Sequence, residues 1–258
     1  MSLIEELFGL GGRVALVTGG SSGIGRAMGA HLAAAGAAVI YVGRDEGKLK
    51  EAVSELQAQG AAAAYVTCDV GDLDALSGMV ERAGAFFGPP DILVNAAGVN
   101  IREPWEKISP ETWNKTLAIN LSAPFFLARL LVPAMLKKGW GRIINIGSLQ
   151  SVRAFPNSIP YGASKGGVMQ LTRAMAEAWS KEGAGITCNA IGPGFFKTGL
   201  TAPIFKEDNV IRALAKQTII GRNGEMADLA GLTVFLASRA SDYITGQFIF
   251  LDGGWSAK

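Results

Sequence analysis

The stretch that most limits what this chain can fold into lies near its start. Val14-Ala15-Leu16-Val17-Thr18 is an apolar, strand-forming run. Gly19-Gly20-Ser21-Ser22-Gly23-Ile24-Gly25 follows, and then a helical pattern over Arg26–Ala35. Strand, glycine-rich turn and helix in this order open a parallel α/β sheet. The glycines allow close backbone approach, and the helix N-terminus supplies N–H groups and a favourable dipole for a pyrophosphate. Gly19, Ser21, Ser22, Gly23, Ile24 and Gly25 are therefore expected to bind a dinucleotide. The spacing is G-x-x-x-G-x-G and departs from the common G-x-G-x-x-G fingerprint.

The rest of the chain keeps the same alternation. Strand-like runs stand at Ala38–Val42, Ala63–Cys68, Ile92–Asn95, Gly141–Gly147, Ile186–Ile191 and Gln247–Leu251. Helical patterns stand at Glu46–Gln59, Leu73–Phe87, Pro110–Lys138, from Tyr161 to Lys181, and Met226–Ser238. This βαβα order predicts one α/β domain over residues 1–258, a doubly wound parallel sheet with helices on both faces. A flap is expected over about 195–221, where the pattern is mixed. With 258 residues there is enough chain for a large core. A net charge of +2 offers no basic stripe, so a nucleic-acid partner is not expected. Leu3–Leu10 is short and carries Glu5 and Glu6, which argues against a signal peptide or membrane span and points to the cytoplasm. His31 is the one histidine and Cys68 and Cys188 are far apart, so no metal site is expected.

Strand ends are where an open α/β sheet carries its chemistry. After the second strand comes Gly43-Arg44-Asp45. Glycine occupies the place of the acid that holds adenosine ribose hydroxyls, and Arg44 can take a 2′-phosphate, which favours NADP(H). The alternative is that Arg44 is solvated, Asp45 binds the ribose, and the cofactor is NAD(H). Asp45 also suits the N-cap of the following helix. Asp69 and Val70 end the third strand, where Asp69 can accept from an adenine amino group. Asn95-Ala96-Ala97-Gly98 ends the fourth, and its small residues let backbone lie against a cofactor. Asn120 interrupts an apolar helix, either making a buried hydrogen bond or distorting the helix to hold water.

The fifth strand ends at Ser148, placed to donate to a substrate oxygen. It lacks the Gly-x-Ser-x-Gly setting of a nucleophile. Ser158 and Pro160 mark a helix start, and Tyr161 and Lys165 then share one helix face. A free phenol has a pKa near ~10, and a neighbouring cation favours its ionised form. Tyr161 is thus expected to be a general acid/base and Lys165 its tuner. Asn100, Arg102, Gln150 and Arg153 follow strand ends on the substrate side. Arg102 or Arg153 could pair with a carboxylate. Trp105, Phe155, Phe195 and Phe196 could wall the pocket.

Together these residues resemble the short-chain dehydrogenase/reductase family over nearly the whole chain. Thr18-Gly-Gly-Ser-Ser-Gly23-Ile-Gly25 looks like its cofactor motif, and Asn95-Ala-Ala-Gly98 is close to its Asn-Asn-Ala-Gly. Asn120, Ser148, Tyr161 and Lys165 fall at its catalytic tetrad, and Pro193-Gly194 with Thr198 at its nicotinamide-side motif. The resemblance implies a seven-stranded Rossmann sheet, a nicotinamide cofactor, reversible carbonyl/alcohol redox and a homotetramer. It also implies that Lys165 holds ribose hydroxyls and that Asn120 fixes a water linking Lys165 to solvent. Within the family the chain is similar to sugar-acid and polyol dehydrogenases of the gluconate 5-dehydrogenase kind. A 3-oxoacyl-thioester reductase is the rival substrate class. A non-catalytic dinucleotide sensor is the rival role, disfavoured by the intact tetrad.

Overall fold

The structure is a computed structural model that describes residues 2–202 and 205–258. Seven parallel strands form one sheet in the order β3-β2-β1-β4-β5-β6-β7. They are β1 (Val14–Thr18), β2 (Ala38–Gly43), β3 (Ala63–Thr67), β4 (Ile92–Asn95), β5 (Gly141–Ile146), β6 (Ile186–Pro193) and β7 (Phe248–Leu251). Helices α1 (Leu3–Phe8), α2 (Gly23–Ala34), α3 (Glu46–Ala58), α4 (Leu76–Phe87), α5 (Pro110–Leu117), α6 (Ala123–Lys138), α7 (Ile159–Trp179), α8 (Asp208–Gln217) and α9 (Leu229–Ala237) complete the order. The central strands β1, β4, β5 and β6 are buried along their whole length, as strands covered on both faces must be. One apolar cluster lies on each face. Leu16, Leu93 and Ile143 point to the side of α4, α6 and α7, while Val17, Val94 and Ile144 point to the side of α2, α3 and α9.

The expected elements form, with shifted ends. The helix expected from Leu73 begins at Leu76, because the segment before it is a turn. There Asp69 Oδ1 accepts from Gly71 N at 2.9 Å and Asp72 Oδ1 from Ala75 N at 3.3 Å. Asp45 caps α3 as expected, accepting from Lys48 N at 3.1 Å. The long helix Pro110–Lys138 breaks into α5, a π turn over Ala118–Ser122, and α6. Pro124 in the first turn of α6 has no N–H to give, so the ladder slips at this point. By length and hydropathy this run could cross a membrane, but half of its most apolar window is buried inside the fold. The expected flap contains the ten-residue helix α8, and residues 203 and 204 of the flap region lie outside the described set.

Strand order reverses between β1 and β4. Chain segments leaving the two strands diverge there, opening a crevice beyond their carboxyl ends.

Candidate active site

A cavity of about 380 Å³ occupies this crevice. Its first wall is the turn after β1. Gly19 and Gly23 take φ of +69° and +57°, which favours glycine. A Cβ on Gly25 would stand 2.5 Å from the Gly19 carbonyl oxygen, so the start of α2 closes on the turn only with glycine there. Ser22 occupies the N-cap position of α2 but its hydroxyl makes no capping bond. Gly19 and residues 21–25 all line the cavity. A backbone-lined concavity at the open N-terminus of a helix suits a diphosphate, so the residues present fit a dinucleotide cofactor.

The adenosine side is completed by Gly43, Arg44, Asp69 and Val70. The Arg44 guanidinium is 61% exposed and stands 3.6 Å from the Asp69 carboxylate. Behind them the backbone after β4 is tied to β1, since Ala96 N and Ala97 N both donate to Thr18 Oγ1 at 3.1 Å. Ala96 and Gly98 line the cavity, but Asn95 does not. Its side chain is buried beneath, donating to Asn145 Oδ1 at 2.9 Å and Pro124 O at 3.4 Å. Its period-two position at the last residue of β4 turns it into the core, and the expectation of direct cofactor contact by Asn95 is corrected to a supporting one.

Ser148, Tyr161 and Lys165 line the same cavity. Ser148 leaves the end of β5, its Oγ accepting from Gln150 N at 3.1 Å. Tyr161 and Lys165 lie one turn apart in α7, 93% and 96% buried. Ile159 and Pro160 start that helix, and Ser158 stands at its cap position without a capping bond; its hydroxyl instead donates to Asn100 Oδ1 at 3.3 Å. Burial raises the Tyr161 pKa, while the Ser148 hydroxyl, and after it the charge of Arg102, oppose the rise. Burial lowers Lys165 to about 8. The Lys165 ammonium donates to the Ile146 carbonyl at 2.6 Å and lies 5.7 Å from the centre of the Tyr161 ring. The Ser148 hydroxyl and the charge of Arg102 both favour the ionised phenol, and the Lys165 ammonium stands one helix turn away on the same side of the cavity.

Asn120 does not line the cavity but stands behind it, in the π turn. Its Oδ1 accepts from Val99 N at 2.9 Å, and its Nδ2 donates to Val99 O at 2.9 Å and Ser164 Oγ at 3.0 Å. Ser164 Oγ in turn donates to Tyr161 O at 2.7 Å. Both sequence-based alternatives for Asn120, buried bonding and a distorted helix, are therefore present together. A Cβ on Gly98 would lie 3.4 Å from Asn120 Oδ1 and 3.8 Å from Lys165 Nζ, so glycine keeps the space between those two groups clear.

Pro193, Gly194, Phe195 and Thr198 close the cavity from β6, and Thr198 packs over the glycine turn, 3.3 Å from where a Gly23 Cβ would be. Asn100, Arg102, Gln150, Phe155 and Phe196 line the remaining side. Gln150 is 8% exposed and its Oε1 has no hydrogen-bond partner. Arg153 and Trp105 are corrections. Arg153 lies beyond the turn Leu149–Ser151 and points to Trp255 and the Lys258 carbonyl instead of lining the cavity. Trp105 is 70% exposed on a 3₁₀ turn. Sequence reasoning missed Ser151 and Ser164. Ser151 Oγ receives Ser148 N at 3.3 Å and donates to Lys165 O at 2.7 Å. Serine three residues after Ser148 was a readable capping pattern.

The adh_short_C2 family model, described as enoyl-(acyl carrier protein) reductase, matches residues 19–256. The gluconate 5-dehydrogenase of Gluconobacter oxydans (strain 621H) is 40% identical over 96% of this chain and 96% of its own length. The 2-dehydro-3-deoxy-D-gluconate 5-dehydrogenase of Dickeya dadantii (strain 3937) is 37% identical over 99% of this chain and all of its own. A solved gluconate 5-dehydrogenase from Burkholderia cenocepacia J2315, in complex with NADP and tartrate, superposes with a TM-score of 0.92 at 37% identity, covering 98% and 99% of the two chains. On sequence, fold and the placement of its strand-end residues, the chain belongs to the short-chain dehydrogenase/reductase family of NAD(P)-dependent oxidoreductases acting on CH–OH groups.

Proposed function

We propose that this enzyme interconverts a ketone and a secondary alcohol on a sugar acid, using NADP(H) in preference to NAD(H). The observation that carries the reading is the convergence of Ser148, Tyr161 and Lys165 with the cation Arg102 on one cavity whose other end is the glycine turn. When bound, the nicotinamide supplies the hydride in reduction and accepts it in oxidation. Ser148 Oγ donates to the carbonyl oxygen and holds it against Tyr161. The Tyr161 O–H delivers its proton to that oxygen as the carbonyl becomes an alkoxide, which costs the buried phenol its neutral form. Arg102 and Ser148 offset part of that cost. Lys165, with its proton held only weakly at about 8, restores the phenol, and a water in the space kept by Gly98 between Asn120 and Lys165 returns the proton from solvent. In oxidation each transfer runs backwards.

Arg102 is the group for the substrate carboxylate, by a charge-assisted pair, and Asn100 and Gln150 offer amides to the hydroxyls. The relatives named for gluconate and deoxygluconate, and the tartrate in one of them, support a polyhydroxy acid. Arg44 supports NADP(H), as does the NADP in that relative. A cytoplasmic homotetramer with no nucleic-acid or membrane partner completes the reading. The test is a screen of 5-keto-D-gluconate, D-gluconate, polyols and acetoacetyl thioesters with both cofactors, followed by nicotinamide absorbance. Turnover of the sugar acids supports the proposal; turnover of thioesters alone moves the enzyme to 3-oxoacyl reduction, and turnover of none supports a sensor.

A further inference from the structure

The aromatic side of the cavity continues beyond the residues that line it. Phe155, on the loop after β5, and Phe195, just after β6, reach the cavity; Trp255 does not. Yet the three rings form one cluster. Centroids are 6.2 Å apart for Phe155 and Phe195, 5.7 Å for Phe155 and Trp255, and 6.4 Å for Phe195 and Trp255. Two of the pairs meet edge to face, the arrangement that aromatic quadrupoles favour. Arg153 covers the indole at 5.7 Å and donates to the Lys258 carbonyl at 3.3 Å.

The indole is also bound to α8. Its Nε1 donates to Gln217 Oε1, at the last residue of α8, at 3.0 Å. The backbone beside it repeats the link, since Gly253 O accepts from Ile219 N at 2.8 Å and Ile220 N at 3.2 Å. Asp252 fixes the turn itself, its carboxylate accepting from Gly254 N and Ser256 N at 2.9 Å each. Trp255 therefore joins three segments distant in sequence: the loop after β5, the loop after β6, and α8.

We infer that Trp255 is a positioning residue for the substrate wall, fixing Phe155 and Phe195 from behind and tying α8 to them. Its ring and its N–H do separate work, which makes the inference separable by variants. Hydrogen exchange followed by mass spectrometry reads the coupling without any substrate. Trp255→Ala should speed exchange in 153–157, in 194–196 and along α8. Trp255→Phe and Gln217→Leu, which keep an aromatic ring at 255 but lose the indole bond, should speed α8 alone. Residues 19–25 should exchange as in the wild type, and NADPH affinity should hold. With 5-keto-D-gluconate as substrate, Trp255→Ala should raise KM about tenfold, with kcat within about threefold, and Trp255→Phe should recover most of the loss. Exchange changes confined to 252–258, or a KM unchanged in Trp255→Ala, overturn the inference. So does loosening that spreads to 19–25 with weaker NADPH binding, because that is a general structural defect. Should the wild type not reduce 5-keto-D-gluconate, the sugar-acid reading fails while the exchange pattern still decides the role of Trp255.

Discussion

The two ends of the cavity are built differently. The dinucleotide end is mostly backbone: a glycine turn, the first turn of α2 and the small residues after β4, all fixed directly by hydrogen-bonded strands. The substrate end is mostly side chains, Arg102, Gln150, Phe155 and Phe195, carried by loops and short turns that meet only in the folded protein. A backbone surface tolerates few substitutions and recognises what every dinucleotide shares. A side-chain surface on loops is free to differ between relatives, and so it sets substrate choice.

The largest effect expected from this division is at Tyr161. Tyr161→Phe should lower kcat by ~10²–10⁴-fold, the usual contribution of a general acid/base, while NADPH binding stays close to that of the wild type. Steady-state rates with fluorescence titration of the cofactor check both halves. Loss of cofactor binding in parallel would show that the two ends are not separable.

Lys165 stands at the junction and gives the next effect, on stability. Its folded pKa of about 8 lies below the ordinary 10.5. Below pH 8 the amine is charged in folded and unfolded chains, and the cost of burying that charge is complete. Between 8 and 10.5 the folded protein loses the proton while the unfolded chain keeps it, so the cost fades as pH rises. Wild-type stability minus that of Lys165→Met should therefore increase by up to ~3 kcal/mol from pH 7.5 to 10.5, at 1.36 kcal/mol per unit of pKa difference. Urea denaturation across that range measures it. A flat difference would mean that water reaches the amine.

Smaller effects are confined to one end each. Arg102→Leu should raise KM for 5-keto-D-gluconate about 10- to 100-fold, as the loss of a charge-assisted bond of ~1.5–3 kcal/mol implies, without touching NADPH affinity. Arg44→Ala should do the reverse, lowering the NADP⁺ to NAD⁺ ratio of kcat/KM by about tenfold or less, since an exposed cation is screened by solvent. An unchanged ratio would leave Arg44 as a solvated partner of Asp69 and make Asp45 the ribose candidate.

The same division explains what could be read from the sequence. Gly19–Gly25 and the alternation of strands and helices were legible because each rests on local pattern: period, turn residues and apolar runs. Tyr161 and Lys165 were legible because helix spacing puts them on one face. The partner of Lys165 was not, because the Ile146 carbonyl lies 19 residues away and is an ordinary strand group. Asn95 and Arg153 were assigned by being near strand ends, but one turns into the core and the other toward Trp255. Asn120 could be flagged as anomalous in an apolar helix, yet its clamp on Val99 and Ser164 needs the tertiary fold. The cluster of Trp255 with Phe155 and Phe195 was not legible either, because the three rings come from segments distant in sequence.

The central claim is that this cavity moves a hydride between the nicotinamide and a sugar-acid carbonyl, with Tyr161 supplying the proton. The most direct measurement is incubation of the wild type and Tyr161→Phe with 5-keto-D-gluconate and NADPH dideuterated at the nicotinamide C4, with the product analysed by NMR and mass spectrometry. The account expects one deuterium at carbon 5 of the aldonate formed by the wild type and little or no labelled product from Tyr161→Phe. Absence of label at that carbon in the wild type, or equal labelling by the two proteins, would contradict it.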